Sequence, residues 1–452
     1  MASMHLTTAL LPSGWADDVR MVVTDGTIAE VTAGVAPDSR DERHGIAIPG
    51  MASLHSHAFQ RGMAGLAETR GNSADTFWTW RETMYRFALE MTPEDVESVA
   101  ALLYVEMLEQ GYTRVGEFHY LHHNRDGTPY ADPAEMATRI ARAADMTGIG
   151  LTLLPSFYAH GSFGGVAPHA GQRRFVCSID QFSDLMAASR KAICKLPGAN
   201  VGIAPHSLRA VTPDELAAIV PLADGGPVHI HAAEQTREVE DCLAWSGQRP
   251  VEWLLEHAPI DRRWCLIHAT HMGTTEIAAL ARTGAVAGLC PITEGSLGDG
   301  IFAAREFVAA GGRFGVGTDS NVLVGVADEL RQLEYGQRLK HRERNVLSVG
   351  PGVSTGRALF DGALAGGAQA LAQPSVGLQT GAPADIVTLD TAHPSLAGRR
   401  GDAILDGWIF ASTGGAIDCV WTGGNKLVEG GRHRLSEKAR DTFNATVRRL
   451  VA

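Results

Sequence analysis

The sequence predicts an α/β fold: a (β/α)8 TIM-like barrel, with a small β-sandwich domain built from both chain termini. Three observations predict it. Eight short β-rich runs in the middle of the chain alternate with amphipathic helical patterns, the arrangement of βαβ units and a parallel sheet. The span 49–380 is long enough for eight such units with insertions. The two ends resemble each other more than the middle, each reading as short strands separated by Gly-rich and Asp-Gly turns.

Residues 1–48 open the small domain. VRMVVTDGTIAEVTAG holds β-rich stretches divided by an Asp-Gly turn, and HGIAIPG stops at a Pro-Gly breaker. The barrel domain, 49–380, takes its strands from GMASLHSH, TRVGEFHY, GIGLTLLPSFY, NVGIAPHS, PVHIHAAE, WCLIHATH, AVAGLCPI and RFGVGTDS. Between them, TPEDVESVAALLYVEMLEQG and TPDELAAIVPLA begin with N-cap signals and read as helices. The Gly-rich segment 160–176 reads as a functional loop or lid. Residues 381–452 return to the small domain through PADIVTLD and AIDCVWTGGNKLVEGG. The final LSEKARDTFNATVRRLVA is a helix with Ser436 as its N-cap.

With 452 residues, 45% of them apolar, the chain can bury a core that needs no disulfide or metal staple. Lys and Arg number 39 against 51 Asp and Glu, a formal net charge of −12, which argues against binding a phosphate backbone. It leaves room for a small anion held by local arginines. No apolar run approaches the ~18 residues of a membrane helix, and the N-terminus lacks the pattern of a signal peptide. Six scattered cysteines without a CxxC pair fit a reducing, cytoplasmic setting.

The polar residues at the predicted strand ends carry the chemistry. His55 and His57 close the first strand and, two apart, point the same way. His231 closes the fifth strand, His268 the sixth and Asp319 the eighth. Each alone has a bland reading: a hydrogen-bonded core histidine, or a helix N-cap for Asp319. Together they lie at one rim, because barrel active sites form at the C-terminal ends of the strands. Imidazoles with one carboxylate suit Zn2+ or Fe2+. His229 shares a face with His231, so either ring can serve as ligand; His231 is nearer the strand's C-terminal end.

PGMASLHSHAFQRGMAGL, HIHAAEQ, IHATH and GTDSN resemble the amidohydrolase superfamily, in particular its aminohydrolase branch with a single metal. SHAFQRGMAGLAE, FWTWRETMYR, EFHYLHH, PHSLRAV and LRQLEYGQRL are similar, more narrowly, to the formimidoylglutamate deiminase family of bacterial histidine degradation. The resemblance implies one Zn2+ per subunit, held by His55, His57, His231 and Asp319, in a homodimer. It implies catalytic roles for Glu234, which passes protons to the departing amine, for His268, which stabilises the intermediate, and for Asp319, which accepts a proton from water. It assigns Gln60, Arg81, Tyr120, His206 and Arg209 to a small dicarboxylate substrate, and arginine grips carboxylates bidentately. Ser53, Asn321 and the pair Gly295-Ser296 depart from the residues usual in that family. The expected reaction is hydrolysis of N-formimidoyl-L-glutamate to N-formyl-L-glutamate and ammonia. The alternatives are an aminohydrolase acting on N-formimidoyl-L-aspartate or a purine-like ring, or a barrel that binds without catalysis.

Overall fold

The structure, a computed structural model, describes residues 2–71 and 75–452. The chain begins with β1 (Ala2–Leu11), β2 (Gly14–Thr24), β3 (Thr27–Thr32) and β4 (Glu42–Pro49). Next come β5 (Met51–Ser56), β6 (Tyr112–His119), β7 (Gly150–Phe157), β8 (Asn200–Val201) and β9 (Ala204–Pro205). They are followed by β10 (Val228–Ala232), β11 (Trp264–His268), β12 (Val286–Leu289) and β13 (Arg313–Val316). The chain returns through β14 (Ile386–Leu389), β15 (Ile417–Thr422), β16 (Asn425–Glu429) and β17 (Arg432–His433) to a last helix, Ser436–Val451.

Both chain ends enter one eight-stranded sheet, in the order β17-β16-β15-β14-β4-β1-β2-β3. The join is the antiparallel pairing of β4 with β14, where Ile48 faces Val387 and Ile46 faces Leu389. The Asp-Gly turn between β2 and β3 has positive φ at both Asp25 (49°) and Gly26 (78°), the twist a tight hairpin requires. Alternation along β4 sends Ile46 and Ile48 into the main core and Ala47 into a second core with Met4, Leu6, Val19 and Met21.

The middle strands form two all-parallel ladders, β5-β6-β7-β8 with β9 on β7, and β10-β11-β12-β13. Parallel bridges Ile203–Val228 and Ser207–His231 connect the ladders on one side, and Ser56–Asp319 connects them on the other. Every residue of β5, β6, β7, β10, β11 and β12 is buried, as strands covered on both faces require. One shared direction brings the C-terminal ends of all these strands to one rim. The fourth expected strand is split into β8 and β9 at Gly202-Ile203, where a Cβ on Gly202 would lie 2.4 Å from the Pro227 carbonyl oxygen.

The expected caps at Thr92 and Thr212 are present: each hydroxyl accepts an amide three residues on, and Asp95 and Glu215 reply to the cap amide at 2.8 Å. The last helix is a correction. Ser436 is its first residue rather than its N-cap; Leu435 takes that place, its amide donating to His433 Nδ1 at 3.0 Å. The 160–176 segment is exposed from Gly164 to Ala170 and packed at its C-terminal end. The fully buried Arg174 donates to the Ala88, Met91 and His123 carbonyls at 2.6, 2.8 and 2.8 Å. It thereby ties the C-terminal end of the helix Phe77–Glu90 to the loop after β6. No helix among the described residues is long and apolar enough to cross a membrane.

Candidate active site

The rim where the strands end holds the predicted residues. His55 Nε2 lies 3.1 Å from His231 Nε2, which lies 3.3 Å from His57 Nε2. Asp319 Oδ1 sits 3.4 Å from both His55 Nε2 and His57 Nε2. His57 Nδ1 donates to the Phe118 carbonyl at 2.8 Å and His231 Nδ1 to the His206 carbonyl at 2.9 Å. A carbonyl only accepts, so those two rings carry their proton on Nδ1 and turn an Nε2 lone pair inward. Burial pushes His55 down to about 3 and lowers His57 and His231 as well, so the rings are neutral. Burial alone would raise Asp319, but its contact with His55 and the positive charge of His268 hold it below the usual carboxylate range.

Acceptor lone pairs converging at these distances repel unless a cation lies between them. The donor set, three imidazoles and one carboxylate, therefore fits a divalent ion of the Zn2+ or Fe2+ type. The structure also separates the two candidate rings of β10: His229 Nε2 donates to the Ala370 carbonyl at 2.8 Å, away from this cluster, and His231 joins it.

Beyond the cluster, His268 Nε2 lies 3.7 Å from Glu234 Oε1 and 3.7 Å from Asp319 Oδ2. Burial pushes Glu234 up to about 7, against the pull of His268 and Arg209. Burial opposes charge on His268, yet Glu234, Glu294 and Asp319 together push it up to about 10. The pair is thus a carboxyl poised near neutrality beside a cationic imidazole. The backbone turns sharply here: His268, Ala269, Asp319 and Asn321 have φ between 42° and 67° without being glycine. Such left-handed conformations cost free energy and concentrate at functional sites.

All the predicted residues except the fully buried His55 line one cavity. Phe77, Trp80, Met84 and Tyr85 of the helix Phe77–Glu90 wall its other side, with Tyr158 and Phe175. Gln60 Nε2 donates to the Tyr120 hydroxyl at 2.8 Å, leaving Gln60 Oε1 without a partner among the described residues. His206 packs on His231, with ring centres 4.8 Å apart. Arg209 pairs with Glu234 at 3.8 Å, and the buried Nε atoms of Arg209 and Arg81 have no hydrogen-bond partner among the described residues. Two guanidiniums with spare donors in one cavity suit an anion with two carboxylates.

Three residues support the site without having been predicted. Glu294 Oε1 lies 3.3 Å from His268 Nδ1 and accepts the Cys290 amide at 3.0 Å. Glu238 accepts the amides of Ala233 and Glu234 at 3.2 and 3.1 Å, fixing the turn that presents Glu234. Glu117 accepts the Ala58 amide at 2.6 Å and the Tyr104 hydroxyl at 3.2 Å. A charged residue inside the apolar run TRVGEFHY was the available signal for Glu117; Glu294 and Glu238 lie in polar first turns of helices and carried none. Two of the departures from the family pattern are structural. Ser53 Oγ meets Thr318 Oγ1 at 3.3 Å, and Asn321 Nδ2 donates to the Asp319 and His57 carbonyls at 2.8 and 3.1 Å. Together they stitch the HxH strand to the Asp319 turn.

Comparison with known proteins adds relatives along the whole chain. Residues 46–427 match the profile of the Amidohydrolase family, and residues 1–45 match that described as "Formimidoylglutamate deiminase HutF, N-terminal domain". The chain is 50% identical over 445 residues to a formimidoylglutamate deiminase of Pseudomonas aeruginosa, covering 98% of each. A crystal structure of an amidohydrolase from Brucella melitensis superposes with a TM-score of 0.97 at 58% identity, over 100% of both chains. Atrazine chlorohydrolase from Arthrobacter aurescens TC1, solved with zinc, shares the fold alone: its TM-score is 0.84 at 21% identity, over 99% of this chain and 100% of that one.

Proposed function

The chain belongs to the amidohydrolase family, and we propose that it hydrolyses N-formimidoyl-L-glutamate to N-formyl-L-glutamate and ammonia. The observation that carries this reading is the pairing, in one cavity, of the histidine–aspartate cluster with two guanidiniums that have spare buried donors. It is a metal-dependent hydrolytic deiminase. The parallel ladders are read as one (β/α)8 barrel, 49–380, and the terminal sheet as a β-sandwich of 1–48 and 381–452. The scattered cysteines and the family resemblance favour a cytoplasmic homodimer.

His55, His57, His231 and Asp319 would hold one Zn2+ or Fe2+, whose Lewis acidity makes water a nucleophile at neutral pH. Arg81 and Arg209 hold the two carboxylates, with Gln60, Tyr120 and His206 supplying further hydrogen bonds. This orients the formimidoyl carbon toward Glu234 and Asp319. Asp319, kept ionised, accepts a proton from water through Oδ2. Cationic His268 steadies the attacking oxygen as it bonds to the formimidoyl carbon and the C=N electrons pass to nitrogen. Glu234, poised near neutrality, delivers a proton to the nitrogen that leaves as ammonia.

The test is ammonia release by the zinc-loaded protein from N-formimidoyl-L-glutamate, N-formimidoyl-L-aspartate and adenine. Preference for the glutamate compound supports the reading; faster release from either of the others overturns it.

A further inference from the structure

Phe77 and Trp80 wall the cavity, and the centre of the Phe77 ring lies 5.9 Å from the Arg81 guanidinium carbon and 5.8 Å from that of Arg209. Trp78, between Phe77 and Trp80 in sequence, lies against the arginines more closely. The Arg81 guanidinium carbon is 4.5 Å from the centre of its ring, Arg237's is 4.7 Å and Arg209's is 5.7 Å. Three cations meet at one half-buried indole in a protein whose formal net charge is −12. Among the described residues their ion pairs are few: Arg209 has Glu234 at 3.8 Å, with the charge of Glu238 also acting on it, and the largely exposed Arg237 has Asp241 at 3.6 Å. Like charges gathered in this way repel, and the electron-rich indole face offsets that repulsion. Arg81 and Arg209 come from distant parts of the chain, one on a helix over the cavity and the other after β9. Among the described residues they share no ion-paired carboxylate that would fix their spacing.

From this we infer that Trp78 is a positioning residue: its indole, beside the Phe77 ring, sets the separation of the Arg81 and Arg209 guanidiniums and so selects a ligand with two carboxylates. Arg237 sits on the same ring outside the cavity and adds positive potential at its mouth. The inference rests on the deiminase reading for the identity of the substrate, but the spacing it describes binds any short dicarboxylate.

The experiment uses the full-length zinc-loaded protein and two probes that do not react, glutarate and butyrate, with binding measured by calorimetry. Trp78→Leu should weaken glutarate by about ten-fold or more, the scale of losing two cation–π contacts, and butyrate by less than about three-fold. Trp78→Phe keeps a ring face and should restore glutarate binding to within about three-fold of the wild type. In turnover, Trp78→Leu should raise KM for the dicarboxylate far more than it lowers kcat. If the leucine variant does not fold, Trp78→Met carries the same comparison. Equal weakening of both probes, no weakening, or failure of phenylalanine to rescue overturns the inference. A wild-type protein that binds glutarate but releases no ammonia from formimidoylglutamate would sink the deiminase reading and leave this one standing. A wild type that does not bind glutarate sinks both.

Discussion

Glu294 holds His268 from behind. Its Oε1 lies 3.3 Å from His268 Nδ1 while accepting the Cys290 amide at 3.0 Å, so the ring's other nitrogen faces Glu234 and Asp319. Glu294→Gln retains an acceptor for the Nδ1 hydrogen and removes the negative charge; Glu294→Ala removes both. The alanine variant should therefore lose about ten-fold or more in kcat beyond the glutamine variant, with metal content unchanged in both. Equal kinetics for the two would show that the hydrogen bond does not orient the ring.

Glu234→Gln should lower kcat by roughly 10²-fold or more, the scale of lost acid–base catalysis, while keeping its metal. Metal analysis beside steady-state kinetics checks this. Loss of the ion would make Glu234 a ligand instead of the proton donor.

Arg209 is buried, its Nε without a partner among the described residues. Arg209→Met would leave a substrate carboxylate unpaired, which costs ~3–5 kcal/mol, or on the order of 10²–10³-fold in kcat/KM. Lysine should recover only part of this, because it keeps the charge and loses the bidentate fork. A formimidoyl derivative of a monocarboxylic amine should suffer much less. Equal slowing of both compounds would make Arg209 structural.

Chelation should abolish turnover, and added Zn2+ should restore it. Circular dichroism should show the stripped protein still folded, since its core is large enough without an ion. Full activity after exhaustive chelation would refute the mechanism.

Glu117 gives a pH-dependent prediction. Burial pushes its carboxyl up to about 8, so the folded protein binds a proton there that the unfolded chain releases near the ordinary value of about 4.3. The folded state then holds more protons over that window, so this group makes stability fall as pH rises from about 4.3 to 8. Glu117→Gln mimics the protonated form and should flatten that slope in denaturant titrations at several pH values. Glu117→Ala should cost about 1–3 kcal/mol at every pH, because the Ala58 amide loses its acceptor. An unchanged slope in the glutamine variant would show that Glu117 is ionised in the fold.

Much of the site was legible in the sequence because strand periodicity is local. His55 and His57 sit two apart on one strand, and parallel strands carry His231, His268 and Asp319 to the same rim whatever lies between. What only the tertiary structure decided depends on contacts between segments remote in sequence. His229 and His231 share a face, and only the depth of the cluster chose between them: one ring reached the Ala370 carbonyl, the other His55 and His57. Ser436 carried a valid cap signal, yet His433, anchored on the Thr147 carbonyl, took the preceding amide first. Glu294, Glu238 and Glu117 resembled ordinary solvated or misplaced carboxylates until the fold buried them against backbone amides. Residue type and spacing determine which groups can do chemistry. Through-space distances between distant strands determine which of them are aimed, neutral or charged when they meet.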